Sequence, residues 1–285
     1  MLFRRPRFIL AAALHRPRRC AIGLAASLML LALAACGTGE EKTIPDTPPE
    51  TLFNHAMNSL ESGDGPEAIK YFDEVDRQHP YSVWANKAQL MSAFALYSAN
   101  KYDDALSALD RFIQLHPGSR DAPYAYYLKS LCYYERITDV TRDQEITEQA
   151  LKALQDVVRR FPDSQYARDA QIKIDLTRDH LAGKEMEIGR FYMKRYQYLA
   201  AINRFRTVVE KYQTTDQVPE ALERLTEAYL AIGLTDEAQA AGAVLGHNFP
   251  GSQWYSDAYK LLTNANLEPK ESQTSWLGRV WGSVF

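Results

Sequence analysis

The stretch ALSALDRFIQLHPGSRDAPYA, residues 105–125, decides how this chain folds. Apolar residues follow Ala105 at offsets of 1, 4, 7 and 8, which is the spacing of a single buried stripe on an α-helix. Pro117 stops that helix, because a proline cannot continue one. Ser119 is placed to cap a second helix, on which Ala125 allows close packing. The stretch therefore predicts a pair of packed helices.

The same pattern occurs five times. In every unit an anchor alanine is followed 14 residues later by a hydroxyl residue and 20 residues later by another alanine. Four units carry a proline at offset 12, whereas the fourth has Gln213. The anchors are Ala68, Ala105, Ala150, Ala201 and Ala238. Their spacings of 37, 45, 51 and 37 residues are close to the 34-residue tetratricopeptide period plus insertions.

We predict an all-α tetratricopeptide-repeat superhelix of about five helix pairs plus a capping helix. One pair cannot bury its apolar stripe alone, so stacking forms the core. The predicted helices span 51–62, 66–79, 83–99, 102–116, 120–135, 146–161, 165–195, 198–212, 217–232, 235–248 and 253–264. Gly183 leaves open whether 165–195 is one helix or two. The 45-residue spacing predicts an insertion at 137–145.

The start of the chain has the pattern of a removable targeting segment. Six arginines precede an apolar run, Ala21–Ala35, which is too short to span a membrane comfortably. Leu33-Ala34-Ala35-Cys36 resembles a bacterial lipobox, in which the cysteine becomes the first mature residue and carries lipid. The alternative is an ordinary signal peptide with a chance cysteine. Gly37 after the cysteine, rather than Asp, resembles lipoproteins sorted to the outer membrane.

These features divide the chain into five parts. We expect a lipoprotein signal peptide over 1–35, a lipidated N-terminus and Pro-rich tether over 36–50, and a folded part that begins near Thr51. The repeats divide into an N-terminal set over 51–163 and a C-terminal set over 164–264. A flexible aromatic tail follows over 265–285.

Composition and motifs argue against several function classes. The chain is 46% hydrophobic and 24% charged, which is typical of a folded soluble protein. Removing the first 35 residues, which hold six arginines and no acid, takes the net charge from −3 to −9 and disfavours nucleic-acid binding. The zinc, phosphate-loop and nucleophile-elbow motifs are absent. We interpret Cys132 as a buried thiol, and His79 and His116 as ring-packing residues before a helix stop. We predict no catalytic residue, no metal and no cofactor except the lipid on Cys36.

Candidate binding residues are aromatic or stand out in the repeat register. All seventeen tyrosines lie in the mature part. We expect about two-thirds of them to be repeat core and the others to line a groove, since tyrosine combines contact area with a polar tip. The groove candidates are Tyr97, Tyr102, Tyr124 and Tyr127. At offset 3 the units carry Tyr71, Ala108, Ala153, Arg204 and Ala241. Arg204 is either simply exposed or a partner contact.

The end of the chain leaves three alternatives open. Trp276, Leu277, Val280, Trp281, Val284 and Phe285 would share one helical face. This tail docks on its own last repeat, binds a partner or the membrane interface, or mimics a substrate tail that ends in Phe. Eighteen residues with two glycines form only a marginal helix alone, so we expect disorder unless the tail docks.

Several stretches resemble the BamD (ComL) family of outer-membrane assembly lipoproteins. The more specific ones are Ile44-Pro45-Asp46-Thr47-Pro48-Pro49-Glu50 and Arg142-Asp143-Gln144. The helix-stop motifs Asp110–Pro117 and Phe161–Tyr166 would fit many tetratricopeptide proteins, and Ala201-Ile202-Asn203-Arg204 also resembles the family. The resemblance runs from the lipobox to about residue 263 and leaves 268–285 uncovered. Gln213, in place of the usual proline, departs from the family and leaves only that helix end in question.

The resemblance implies a location and partners. Family members have five tetratricopeptide repeats and lie, lipid-anchored, on the periplasmic face of the outer membrane of Gram-negative bacteria. Their C-terminal repeats bind the barrel-forming protein BamA, and their N-terminal repeats are thought to receive targeting segments of unfolded outer-membrane proteins. Other assembly lipoproteins join them. The family arginine that contacts BamA corresponds to Arg204, beside Asn203.

The resemblance therefore predicts a non-catalytic scaffold of the β-barrel assembly machinery. One alternative is another lipidated tetratricopeptide scaffold of the cell envelope, such as a pilus-assembly factor or a regulator of cell-wall hydrolases. A second is a cell-wall enzyme, which would need paired acids in a cleft.

Overall fold

The computed structural model describes residues 44–272 and 275–281. Within these ranges the chain forms twelve α-helices and no strand, so the predicted all-α class is confirmed. In chain order the helices are α1 (Pro49–Glu61), α2 (Gly65–Gln78), α3 (Val83–Ser98), α4 (Tyr102–Leu115), α5 (Ala122–Tyr134), α6 (Glu145–Arg160), α7 (Gln165–Met193), α8 (Tyr198–Lys211), α9 (Val218–Ala231), α10 (Thr235–Asn248), α11 (Gln253–Asn264) and α12 (Trp276–Trp281). All twelve lie in one compact unit, Asp46–Phe285.

The helices pack as the repeat register requires. From α1 to α11, each helix packs against the next one. Odd-numbered helices also contact their odd-numbered neighbours, namely α1 with α3, α3 with α5, α5 with α7, and α9 with α11. The odd-numbered helices therefore form one layer and the even-numbered helices the other, which is the tetratricopeptide arrangement that we predicted.

The alanines of the register lie at the centre of this packing. All five anchors and all five alanines 20 residues later have no solvent exposure. The ten are Ala68, Ala88, Ala105, Ala125, Ala150, Ala170, Ala201, Ala221, Ala238 and Ala258. Larger apolar side chains at offset 7, including Phe112 and Val208, fill the space between helices. The alanines thus set a close helix approach, and the larger residues complete the core.

Even-numbered helices end in one repeated turn. The cap residues of α2, α4, α6, α8 and α10 have φ between −134° and −125° and ψ between 41° and 55°. Each cap carbonyl accepts a hydrogen bond at 3.0 Å from the amide three residues later. These residues are His79, His116, Phe161, Tyr212 and Phe249. Tyr212 keeps this turn although Gln213 replaces the proline, so the proline is not required at that helix end.

Three of the five hydroxyl residues cap the following helix as predicted. The hydroxyl of Ser82 accepts a hydrogen bond from the Ala85 amide at 3.1 Å. Ser164 and Ser252 accept equivalent bonds at 3.2 Å and 3.1 Å. Each bond satisfies one of the backbone amides that a helix start leaves without a partner.

The cap prediction was wrong for the other two residues. Ser119 accepts a hydrogen bond from the amide of Asp121, before α5 begins. Thr215 donates its hydroxyl to the carbonyl of Tyr212, before α9 begins. Both helices carry a proline in their first two positions, which fixes φ for a helix start there. The helix therefore starts three residues after the hydroxyl instead of one.

The predicted boundaries differ from the observed ones by at most two residues, and the folded part begins earlier than expected. The amide of Thr47 donates to the side chain of Gln78 at 3.0 Å. The ring Nε2 of His79 lies 2.7 Å from the carbonyl oxygen of Thr47. The prediction of a free tether up to residue 50 was therefore wrong for 46–50, because this segment is bonded to the first helix pair.

The two insertions pack on each other. The 165–195 segment is a single helix, α7, which Gly183 does not interrupt. The Lys184 ammonium group donates to the carbonyls of Thr141 and Arg142 at 2.9 Å and 3.0 Å. The insertion at 137–145 thus covers the middle of the lengthened helix.

The tail docks on its own last repeats, which is the first of the three alternatives. Leu277 has no solvent exposure and Trp276 is 8% exposed. Helix α12 packs on α10, and the backbone of Lys270 donates to the carbonyl of Gln239 at 3.2 Å. The prediction of a flexible tail over 265–285 was therefore wrong for Ser275–Val280, whose apolar face is buried. Val284 and Phe285 lie outside the described residues.

Across 44–272 and 275–281, none of the helices combines the length and the apolar character that a membrane span requires.

Two glycines of α7 give opposite predictions for the same substitution. A Cβ at Gly183 would lie 3.6 Å from Val140, an ordinary contact, so Gly183→Ala should raise the free energy of unfolding by about 0.5–1 kcal/mol. A Cβ at Gly189 would lie 2.3 Å from the fully buried ring of Phe205, so Gly189→Ala should lower it by about 1–3 kcal/mol. Urea unfolding of both variants measures the difference. Equal effects of the same sign would contradict this packing.

Candidate partner and substrate surfaces

The predicted groove tyrosines form one connected surface. Tyr97 lies on α3, Tyr124 and Tyr127 lie on α5, and all three are half-buried. Tyr102 begins α4, and its ring meets the ring of Tyr97 edge-on at a centroid distance of 5.9 Å. Since α3 and α5 are neighbours in the odd-numbered layer, these rings line a single stretch of it. We call this stretch the tyrosine surface.

A fifth tyrosine completes the tyrosine surface. The ring of Tyr166, on α7, stacks on Tyr127 at 5.2 Å and lies 5.5 Å from Tyr124. The Tyr127 hydroxyl donates a hydrogen bond to Asp169, also on α7. Tyr166 was not among the predicted groove residues, because spacing along a helix does not reveal contacts with a neighbouring repeat.

Three hydroxyls of this surface, those of Tyr97, Tyr124 and Tyr127, have a raised pKa. Burial raises the pKa of Tyr97 to about 12 and that of Tyr124 to about 12, with smaller contributions from neighbouring groups. Burial and the bond to Asp169 also raise the pKa of Tyr127. At neutral pH these three hydroxyls are therefore uncharged and lie next to aromatic rings, although that of Tyr127 already donates to Asp169. That combination suits an extended peptide with apolar side chains and free backbone carbonyls.

Arg204 and Asn203 lie side by side on α8. Asn203 is exposed, and the guanidinium of Arg204 lies 3.1 Å from a carboxylate oxygen of Glu185 on α7. The Arg204 side chain is 42% exposed, whereas that of Glu185 is 20% exposed. The ion pair fixes the direction of Arg204 and leaves its charged end accessible to a partner.

The register explains why Arg204 stands out. At the same offset, Ala108 and Ala153 line open grooves between helices of the earlier repeats. Arg204 occupies the corresponding place, where the lengthened α7 supplies Glu185 as an ion-pair partner. The small residues line open grooves, whereas the larger one forms an ion pair with a neighbouring helix.

A charged network lies between α7 and α9. The guanidinium of Arg190 donates two hydrogen bonds to Glu220, at 2.8 Å and 2.7 Å. Arg224 lies 2.8 Å from Glu227 and 3.3 Å from Glu223. Glu223 is only 4% exposed, and burial raises its pKa to about 7. The odd-numbered layer is thus charged over the C-terminal repeats and rich in tyrosine over the N-terminal ones. This network was not predicted from the sequence.

The remaining singled-out residues have structural roles. Cys132 is buried and unbridged, so the prediction of a buried thiol is confirmed, and burial raises the pKa of that thiol to about 12. The ring of His116 lies 5.0 Å from that of Phe112, as a packing residue should. Among the described residues no three His, Cys, Asp or Glu side chains converge as a metal site. Cys36 lies outside the described residues.

Comparisons with known proteins agree on a family. A family model described as "Outer membrane lipoprotein" (YfiO) matches residues 45–245. The outer membrane protein assembly factor BamD of Caulobacter vibrioides is 52% identical over 254 residues, which cover 88% of this chain and 83% of that protein. BamD of Rickettsia prowazekii is 44% identical over 243 residues, which cover 85% and 97%. BamD of Neisseria meningitidis serogroup A is 34% identical and covers 81% and 92%.

Solved structures give a weaker similarity. A thermophilic tetratricopeptide protein of Thermus thermophilus has a TM-score of 0.37 and 19% identity, and the match covers 76% of this chain and 100% of that one. The tetratricopeptide domain of P58(IPK) has a TM-score of 0.38 and 16% identity, with 88% and 71% covered. The architecture of this chain rests on its own helix contacts.

Proposed function

The chain belongs to the BamD family of outer membrane protein assembly factors, and we propose that it acts in this assembly as a non-catalytic scaffold. The observation that carries the proposal is the pair of chemically different surfaces. Neutral tyrosines cover the N-terminal repeats, whereas ion pairs and Arg204 cover the C-terminal repeats. Two such surfaces on one rigid array suit two different ligands that must be held near each other.

We assign the surface around Arg204 and Asn203 to a barrel-forming partner of the BamA type, through its periplasmic domains. The accessible guanidinium can donate paired hydrogen bonds to a carboxylate of that partner. Other assembly lipoproteins would bind elsewhere on the array.

We assign the tyrosine surface to segments of unfolded outer-membrane proteins. Such segments expose apolar side chains and unpaired backbone groups, which rings and neutral hydroxyls satisfy together. Tyr97, Tyr102, Tyr124 and Tyr127 are the residues that we expect to contact them.

We further propose that lipid on Cys36 anchors the chain to the periplasmic face of the outer membrane. The multiple acyl chains of a bacterial lipoprotein give stable anchoring, because each buried CH₂ contributes about 0.8 kcal/mol. The residues between Cys36 and Asp46 would link the anchor to the folded repeats.

Reversing the charge of Arg204 should separate binding from folding. Arg204→Glu should reduce recovery of the barrel-forming partner from mild-detergent extracts at least fivefold, because it places like charges together. The helical circular dichroism should stay unchanged, since an exposed ion pair contributes only about 0–1 kcal/mol. Glu185→Gln is the matched control, because it breaks the same pair and leaves the arginine. Equal losses in both variants would make Arg204 a structural residue only.

Removing two hydroxyls should weaken substrate binding. The double variant Tyr97→Phe/Tyr124→Phe keeps both rings but loses two hydroxyls, so a peptide from a barrel strand should bind about five- to 150-fold more weakly, at roughly 0.5–1.5 kcal/mol per hydrogen bond. Fluorescence titration with a labelled peptide measures the affinity. Tyr259→Phe, on α11, is the control and should bind normally. Unchanged affinity in the double variant would exclude these hydroxyls from the site.

Cysteine replacement tests the anchor. Cys36→Ala should move the chain from the membrane fraction to the soluble fraction after a high-salt wash, because the lipid attachment point is lost. Cys132→Ala removes the other mature cysteine and should leave the chain on the membrane. Tight membrane association of the Cys36 variant would assign the anchoring to a partner or to the tail.

A further inference from the structure

The docked tail shows what one type of groove in this array can hold. The indole N–H of Trp276 donates to the Tyr229 hydroxyl at 2.9 Å, and the guanidinium of Arg206 lies 4.3 Å from the centre of the Trp276 ring. Leu277 is fully buried beside it. Arg206, Tyr229 and Gln239 belong to α8, α9 and α10, so the tail lies between two even-numbered helices and over the odd-numbered helix that separates them.

An equivalent groove without a tail lies two repeats earlier. Tyr229 stands eight residues after the buried alanine Ala221, and Tyr133 stands eight residues after its counterpart, Ala125. Both tyrosines are on odd-numbered helices, α9 and α5. Tyr133 lines an open groove between α5 and α6, with a volume of about 220 Å³. We call it the α5–α6 groove.

The second wall follows the same register. Glu237 immediately precedes the anchor Ala238 and lies beside the docked tail, near Arg206 and Arg279. Gln149 immediately precedes the anchor Ala150 and lines the α5–α6 groove. The remaining lining residues of this groove are Tyr126, Lys129, Lys152, Ala153 and Asp156. The backbone framework that accepts Trp276 is therefore repeated here with different side chains.

The side chains of the α5–α6 groove favour an acidic ligand. Lys129 pairs with Asp110 of α4, and Arg160 lies 5.2 Å from the centre of the Tyr126 ring. Lys152 is exposed, and within the described residues no hydrogen bond or ion pair is seen for it. Two cations at or beside the groove thus lack a carboxylate partner in the part of the chain that the structure describes. In a body with an excess of acidic residues, this local positive charge selects for an acidic segment.

The corresponding groove of the first two repeats does not share this chemistry. It is lined by Asp73 and Asp76, and Arg111 lies 3.9 Å from Asp76. The Ser92 hydroxyl donates to Asp73 at 3.0 Å. The residue eight positions after its alanine is Leu96 rather than tyrosine. The polar groups that line this groove bond to one another. No side-chain hydroxyl occupies the position at which Tyr229 accepts a hydrogen bond from the indole of Trp276.

We propose that the α5–α6 groove binds a short amphipathic helix of another protein, with a tryptophan anchor that reaches Tyr133 and acidic residues that pair with Lys152 and replace Asp110 as the partner of Lys129. The docked Trp276 of this chain shows how the tryptophan of the ligand would bind, and the lysines of the groove determine that the ligand is acidic. The site is separate from the tyrosine surface and from Arg204, and it holds whether or not those assignments are correct.

A modified tail peptide tests the proposal. The probe is a fluorescein-labelled peptide of residues 268–285 with Arg279→Glu, titrated by anisotropy into the detergent-solubilised full chain. We expect saturable one-to-one binding that Lys129→Glu/Lys152→Glu weakens at least tenfold and Tyr133→Phe weakens about threefold. The unmodified peptide, which keeps Arg279, should bind several-fold more weakly than the acidic one.

Matched variants show whether binding depends on the groove itself. Lys194→Glu/Lys211→Glu makes the same charge change at exposed sites on other parts of the chain and should bind the peptide normally. Equal weakening in both double variants would reduce the effect to general charge attraction and overturn the proposal. Stronger binding in Trp276→Ala, with no effect of the groove lysines, would place the peptide in the tail's own seat and also overturn it, as would the absence of saturable binding. Circular dichroism of each variant confirms that it is folded.

Discussion

The whole array depends on small, buried alanines at the packed faces of its helices. Each helix pair carries an anchor alanine and its counterpart 20 residues later, and all ten have no solvent exposure. A larger side chain at any of these positions would separate the helices and move every later repeat, because position errors accumulate along a stacked array. The spacing between layers, and with it the width of each groove between helices, follows from these small residues.

That constraint is visible in the sequence, which is why the helices could be predicted within two residues. The alanines repeat in register, the apolar stripe has a helical period, and a ring residue marks the end of each even-numbered helix from α2 to α10. The helix starts that were predicted wrongly are those at which two local sequence signals favour different starting residues. Ser119 and Thr215 match the capping position, but prolines in the first helical positions move the start of the next helix past them. The docked tail was likewise only one of three alternatives, since its seat is built from three helices.

The candidate surfaces were predictable only in part, and for a similar reason. Local sequence pattern, namely the repeat register for Arg204 and the clustering of tyrosines for those of α3, α4 and α5, selected the predicted residues. It does not report contacts between repeats, so Tyr166 and the pair formed by Arg190 and Glu220 were missed. Both lie on or against α7, whose extra turns break the register. An insertion in a repeat array thus creates a local environment that the other repeats cannot predict.

The grooves between helices share one backbone framework along the chain but differ in the side chains that fill or line them. Near the C-terminus the groove is closed by the chain's own tryptophan, and beside α7 an arginine reaches across to Glu185. In the first two repeats, serine, arginine and aspartate side chains bond to one another within the groove, whereas the α5–α6 groove is open and positively charged. Because the alanines fix the framework, substitutions on the groove walls change the ligand without changing the fold. A scaffold built this way can add a binding site in one repeat while the others keep theirs, and the chemistry of each groove then has to be determined from its own wall residues.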